Sequence, residues 1–243
     1  MRTFTFARRN SREILRDPIN LGFGLGFPLL LILLLSAIQA NIPVPLFEIE
    51  HLAPGISVFG LSFMTLFSAT LISKDRGSQL LARLYTTPLT PLDFILGYAL
   101  PIIPFSLAQS IICYIVAIML GLPITVNILL ALIFVIPTSL LFIGLGLLFG
   151  SILTDKQVGG ICGALLTNLS AWLSGTWFDL ELVGGVFRAI AYHLPFVHAV
   201  EMGRAALSGN FSGIWEHLFW VLGYAVCALA AAVALFLRQM KKQ

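Results

Sequence analysis

Charge is scarce along this chain of 243 residues: Asp, Glu, Lys and Arg together make up 10% of it, where a soluble globular domain carries about 25%. With 58% hydrophobic residues besides, a water-soluble domain with a polar coat is excluded. From Phe94 through Thr154 there is no charged residue at all, and only Gly121-Leu122-Pro123 breaks the apolar run. Cysteine is nearly as rare. Cys113, Cys162 and Cys227 lie inside apolar segments, without the spacing of a disulfide framework or a zinc site, and read as small packing residues. The chain contains no Gly-x-x-x-x-Gly-Lys-Ser/Thr, so it supplies no P-loop for a nucleotide. His51, His193, His198 and His217 make no cluster with acids at ligand spacing, which leaves an intramembrane enzyme without candidate residues. No motif points to nucleic acid.

What is present is a series of long apolar windows. A helix crosses a bilayer core in about 20 residues, and six windows meet that length: 19–40, 52–73, 94–120, 127–153, 158–176 and 217–237. The expected fold is therefore all-α and polytopic, a single transmembrane domain over 1–243. Of the 14 basic residues, all but Arg188 and Arg204 fall in the terminal segments and alternate loops that an even number of spans places together. Lys and Arg are retained on the cytoplasmic side, so both termini are expected there, and the net charge of +3 reflects topology. The basic stretch Arg2 to Arg16 ahead of an apolar run also has the outline of a signal peptide, but the run exceeds an ordinary h-region and five further spans follow.

Three segments are not spans. Over 1–18, Phe4, Ala7, Ser11, Ile14 and Leu15 recur on one side of a helix while Arg8, Arg12 and Arg16 stack on another. That pattern predicts an amphipathic helix at the lipid interface, closed by Asp17-Pro18. The loop 74–93 is a charged island holding Lys74, Asp75, Arg76, Gly77 and Arg83, with Leu80, Leu81, Leu84 and Tyr85 on one face and a stop at Thr87-Pro88. About two helical turns cannot bury such a face alone, so it is expected on a membrane or in a groove of another protein. The segment 177–216 is built of apolar pieces too short to cross and is expected to enter the outer leaflet and turn back at Pro195, with Glu201 and Arg204 paired three residues apart.

These features together resemble the membrane subunit of a type-2 ATP-binding-cassette (ABC) transporter. Such permeases are similar in having a basic amphipathic helix before span 1, six spans, a cytoplasmic Gly-containing charged loop like Lys74-Asp75-Arg76-Gly77-Ser78 with Thr87-Pro88-Leu89, and a re-entrant pair before span 6 matching Pro195 and Arg204. The resemblance implies a bacterial-type cytoplasmic membrane location, two copies of a separate ABC ATPase that binds ATP and Mg, and a second permease subunit, identical or not. It implies that the island is a coupling helix contacting the ATPase through Lys74, Asp75, Arg76, Gly77, Leu80, Leu81, Arg83, Leu84, Tyr85, Thr87 and Pro88. Gly-x-x-x-Gly pairs permit close helix pairing in lipid, and they occur at Gly22/Gly26, Gly146/Gly150 and Gly159/Gly163. Spans 1 and 5 face the second permease in the family, which favours the first and third. A lateral path for hydrophobic or amphiphilic cargo is expected along spans 2 and 5, at Phe59, Phe63, Phe67, Leu169, Trp172 and Leu173. Ion-coupled secondary transport, the alternative beside a non-transporting membrane scaffold, needs ionisable groups at membrane depth. Spans 1 to 5 have none.

Overall fold

The structure is a computed structural model that describes residues 2–240 apart from Thr86 and Pro88. Among the described residues every regular element is helical. The chain runs α1 (Arg2–Leu15), α2 (Pro18–Gln39), α3 (Ile49–Gly77), α4 (Leu80–Tyr85), α5 (Pro91–Met119), α6 (Asn127–Ile152) and α7. Consecutive segments Asp155–Val158, Gly159–Leu166 and Thr167–Trp172 compose α7, and α8 (Leu180–Val183), α9 (Gly185–His193), α10 (Pro195–Ser208) and α11 (Phe211–Met240) follow. Among the described residues five helices, α2, α3, α5, α6 and α11, are long and apolar enough to cross a membrane.

The window 158–176 is not one of the five. Its helix begins early, so that Asp155, Lys156 and Gln157 fill the first turn, and it ends at Trp172 before the chain turns through Gly175 at φ +69°. Thr154 and Gln157 form the capping box that fixes this early start. At the other expected boundaries α3 runs on to Gly77, which moves Lys74, Asp75 and Arg76 out of a loop and into the last turn of a span. In turn, α11 starts at Phe211 rather than at 217.

The core is organised around α3. Nearly every residue from Leu52 to Ile72 is buried, packed against α2, α5, α6, α7 and α10. Between α3 and α11 lies α6. Close approach there rests on Gly146 and Gly150: a Cβ at Gly146 would overlap Ser68 Oγ and Thr65 O, and one at Gly150 would sit 2.6 Å from the Ala69 carbonyl oxygen. This glycine pair is thus used up inside the chain. Two helices contain wide π turns, Gly22–Gly26 in α2 and Gly159–Leu166 in α7. Both Gly-rich segments rest on neighbouring positions of α3, Gly24 against Phe67 and Gly163 against Leu66.

Candidate functional site

At its C-terminal end α3 acts as a clasp. Asp75 is 1% exposed and receives both arms of a guanidinium from α1, Arg9 Nη1 at 2.5 Å and Nη2 at 2.6 Å, with the Tyr98 hydroxyl of α5 donating at 2.8 Å. Arg9 also pairs with Glu13 at 2.6 Å. One residue on, Arg76 donates to the carbonyl oxygens of Ser151 and Leu153 at the C-terminal end of α6, where the helix dipole favours a cation. Ser73 Oγ reaches Asp155 at 3.3 Å and Lys74 lies 3.7 Å from Asp17. Four adjacent residues of one span therefore gather α1, α2, α5, α6 and α7.

This placement corrects the expectation that Asp75 and Arg76 face a partner: both are spent on internal contacts. It also corrects the orientation of α4. Leu81 is 2% exposed and Leu84 packs against the main core, because α3 turns sharply through Gln79, at φ +59°, and folds the apolar face of α4 back onto the bundle. Gly77, Ser78, Gln79, Arg83 and Thr87 face outward, with Leu80 partly covered. Pro88 and the side chain of Tyr85 lie outside the described residues, as do Thr86, Lys241 and Lys242.

On α1 the buried residues are Phe6, Ala7, Asn10 and Ile14, whereas Phe4 and Leu15 are exposed, so the apolar side expected from the sequence divides into two. Phe6 meets Tyr98 and Phe94 edge-on at 4.9 and 5.8 Å, Asn10 Nδ2 donates to Gly97 O at 2.9 Å, and a Cβ at Gly97 would collide with the Phe6 ring.

The residues expected on a cargo path are not brought together as one lining. Phe59, Phe63 and Phe67 are buried, Leu173 packs against the core, and Leu169 and Trp172 are exposed. Instead Phe63, Phe59 and Trp177 form an aromatic run with centroids 5.7 and 5.4 Å apart, joined by Phe27 of α2. Of the glycines expected at an interface, Gly22, Gly26 and Gly159 have nothing within 4 Å of a Cβ and open outward, whereas Gly163 faces Leu66. Cys113 and Cys162 are buried as expected for packing residues, but Cys227 is exposed on α11.

Trp177 leads to a cavity of about 460 Å³ at the opposite end of the bundle, also lined by Leu46, His51, Phe178, Glu201 and Arg204. A second cavity of about 460 Å³, bordered by Glu50, Pro123 and His217, lies on the other side of the Glu201–Arg204 pair. That pair measures 2.7 Å, and Arg204 also donates to Gly175 O at 2.9 Å and His51 O at 3.3 Å. The arginine so ties α10 to the ends of α7 and α3. Pro195 is buried in the first turn of α10. His198 stacks on Trp220 at 4.8 Å, its Nδ1 lies 2.9 Å from His217 Nδ1, and its Nε2 is 3.0 Å from Tyr192 O. His198 and His217 are thus bound into packing, whereas His51 and His193 are exposed.

Arg9, Tyr98, Gly97 and Trp177 were not singled out by sequence. The available hint was that Asp75 sits between two cations, Lys74 and Arg76; its partners lie 66 and 23 residues away, on elements no local spacing connects. No individual curated protein matches the chain in sequence. Over residues 1–208, which take in α1 through α10, it matches the family described as ABC-2 type transporter. With five helices long and apolar enough to cross a membrane and a family match over most of its length, the chain belongs to the ABC-2 type transporters, as a multi-pass membrane permease subunit.

Proposed function

We propose that this permease forms, with a second permease subunit, the membrane path of an ATP-driven exporter for a hydrophobic or amphiphilic substrate such as a drug, an antibiotic or a lipid-linked molecule. Two copies of a separate ABC ATPase bind ATP and Mg and drive it. The observation that carries the reading is α4, a short helix hung from the most buried span, with Leu81 and Leu84 spent on the bundle and Arg83 exposed beside the outward-facing Ser78, Gln79 and Thr87 that flank it. A partner seated on Gly77, Ser78, Gln79, Arg83 and Thr87 pushes on α3 directly and, through Asp75 and Arg76, on α1, α5 and α6.

In this reading α7 is a sixth crossing. Its 18 helical residues reach about 27 Å at 1.5 Å per residue, close to a bilayer core of about 30 Å. Both termini are then cytoplasmic, and α8 and α9 dip into the outer leaflet, supported by exposed Leu182, Val186 and Ile190. The open faces of α2 and α7 at Gly22, Gly26 and Gly159 meet the second permease. An aromatic run ending in a cavity with both apolar and charged walls suits an amphiphile.

The test is Gly77→Leu. A side chain at Gly77 meets nothing within 4 Å and the backbone there is ordinary helix, so the chain itself tolerates the change. Purification in mild detergent from the native membrane, with mass spectrometry of what accompanies the chain, is expected to give a stoichiometric P-loop ATPase for the parent and none for the variant. An ATPase retained by Gly77→Leu would remove α4 from the contact, and its absence from the intact parent would remove the ATP-driven reading.

A further inference from the structure

At about 100° per residue, α1 divides into three sectors. The first is buried against the bundle through Phe6, Ala7, Asn10 and Ile14, with Phe6 and Asn10 on α5. Next come Phe4 and Leu15, 75% and 60% exposed. Arg8, Arg12 and Arg16 make up the third, all exposed and one turn apart. Among the described residues none of the three arginines has an acidic partner. The acids that could neutralise them are taken: Glu13 by Arg9 and Asp17 by Lys74 and Asn20. Arg9, on the same helix, turns inward to Asp75, so one helix separates an internal cation from three external ones.

The level of α1 is set by its contacts. It lies against Phe94, Gly97 and Tyr98, in the first turns of α5 where the uncharged stretch begins, and hence at the boundary between the apolar core and water. A helix held there, with an apolar strip beside a cationic one, has the form that lies in a lipid interface. Guanidinium groups favour phosphate, because their planar fork matches its oxygens in pairs.

We propose that the outer face of α1 is a docking site for anionic phospholipid headgroups, with Arg8, Arg12 and Arg16 on the phosphates and Phe4 and Leu15 in the acyl boundary. This stands apart from the transport reading, since it requires neither ATPase nor cargo. The apolar strip alone would hold any phospholipid; the three uncompensated arginines select charge. Each is worth about 1 kcal/mol near an anionic surface, so together they set a preference on the order of 100-fold.

The full chain, purified in an uncharged detergent, is offered phosphatidylglycerol and phosphatidylcholine in equal amounts, and retained lipid is counted by native mass spectrometry. Phosphatidylglycerol is expected to prevail and added salt to release it. Replacing Arg8, Arg12 and Arg16 together by Gln is expected to abolish the preference, while Lys156→Gln with Arg238→Gln preserves it. Equal retention of the two lipids by the parent, or a preference indifferent to salt, overturns the proposal even if the triple variant does not fold. A folded triple variant that keeps its lipid preference overturns it as well, and one that also loses a co-purifying ATPase assigns the face to that protein.

Discussion

A buried carboxylate has to be answered, and Asp75 is answered by a guanidinium and a phenol from two other helices. Asp75→Asn removes the charge that holds Arg9. Hydrogen bonds to charged groups are worth about 1.5–3 kcal/mol, and Arg9 remains partly in water, so we expect a loss of about 2 kcal/mol rather than the 3–5 kcal/mol of a wholly buried pair. Thermal unfolding in detergent measures it. Exchanging the two residues, Arg9→Asp with Asp75→Arg, is expected to recover part of the loss; strictly additive losses would mean that the two side chains are not coupled. A second residue carries a pH dependence. Burial lowers the His198 pKa and His217 pushes the same way, against the Tyr192 carbonyl, Glu216 and Glu201. The folded state then binds fewer protons than the unfolded one. Stability is therefore greatest above the ordinary histidine value of about 6.5 and falls as pH drops through it toward the lowered value. His198→Phe keeps a ring on Trp220 and is expected to flatten the melting temperature between about pH 7.5 and pH 5.5.

Among elements, the glycines separate what is packed from what is open. A side chain at Gly97 collides with Phe6, so Gly97→Ala is expected to lift α1 from α5 at about 1–3 kcal/mol. Faster hydrogen exchange across Arg2–Leu15 would accompany the loss. Gly22→Ala meets empty space and is expected to cost the single chain nothing. The contrast also marks what could be read from sequence. Long uncharged windows gave α2, α3, α5 and α6 to within four residues and α11 with a start six residues late, since a run with no alternative to lipid has one stable form. Short pieces did not behave so. The burial of Leu81 depends on the turn at Gln79, a left-handed conformation that composition does not announce, and α7 stops where Gly175 bends the chain toward Gly55 and Arg204.

For the whole molecule the family was legible because order and length of segments identify it, whereas the clasp was not, because it is made of residues that meet only after folding. The same limit applies to the Gly-x-x-x-Gly pairs, alike in sequence and different in use. Gly146 and Gly150 pack α6 on α3, while Gly22 and Gly26 remain open. Replacing Gly22 and Gly26 by Leu is expected to leave the melting curve of the isolated chain in place and weaken permease pairing, read by light scattering on a detergent-exchanged sample. An unaltered dimer would exclude that face from the contact.

The stretch from Phe94 to Thr154 carries no formal charge on either limb of the α5–α6 hairpin. A membrane potential does work of about 2.3 kcal/mol per 100 mV on each elementary charge moved fully across the bilayer. Beyond Asp93, in the first turn of α5, it has no side-chain charge on this hairpin to act upon, and the dipoles of two antiparallel helices oppose each other. Rocking of the hairpin is therefore electrically silent: the same displacement has the same energy in an energised membrane and in a depolarised one.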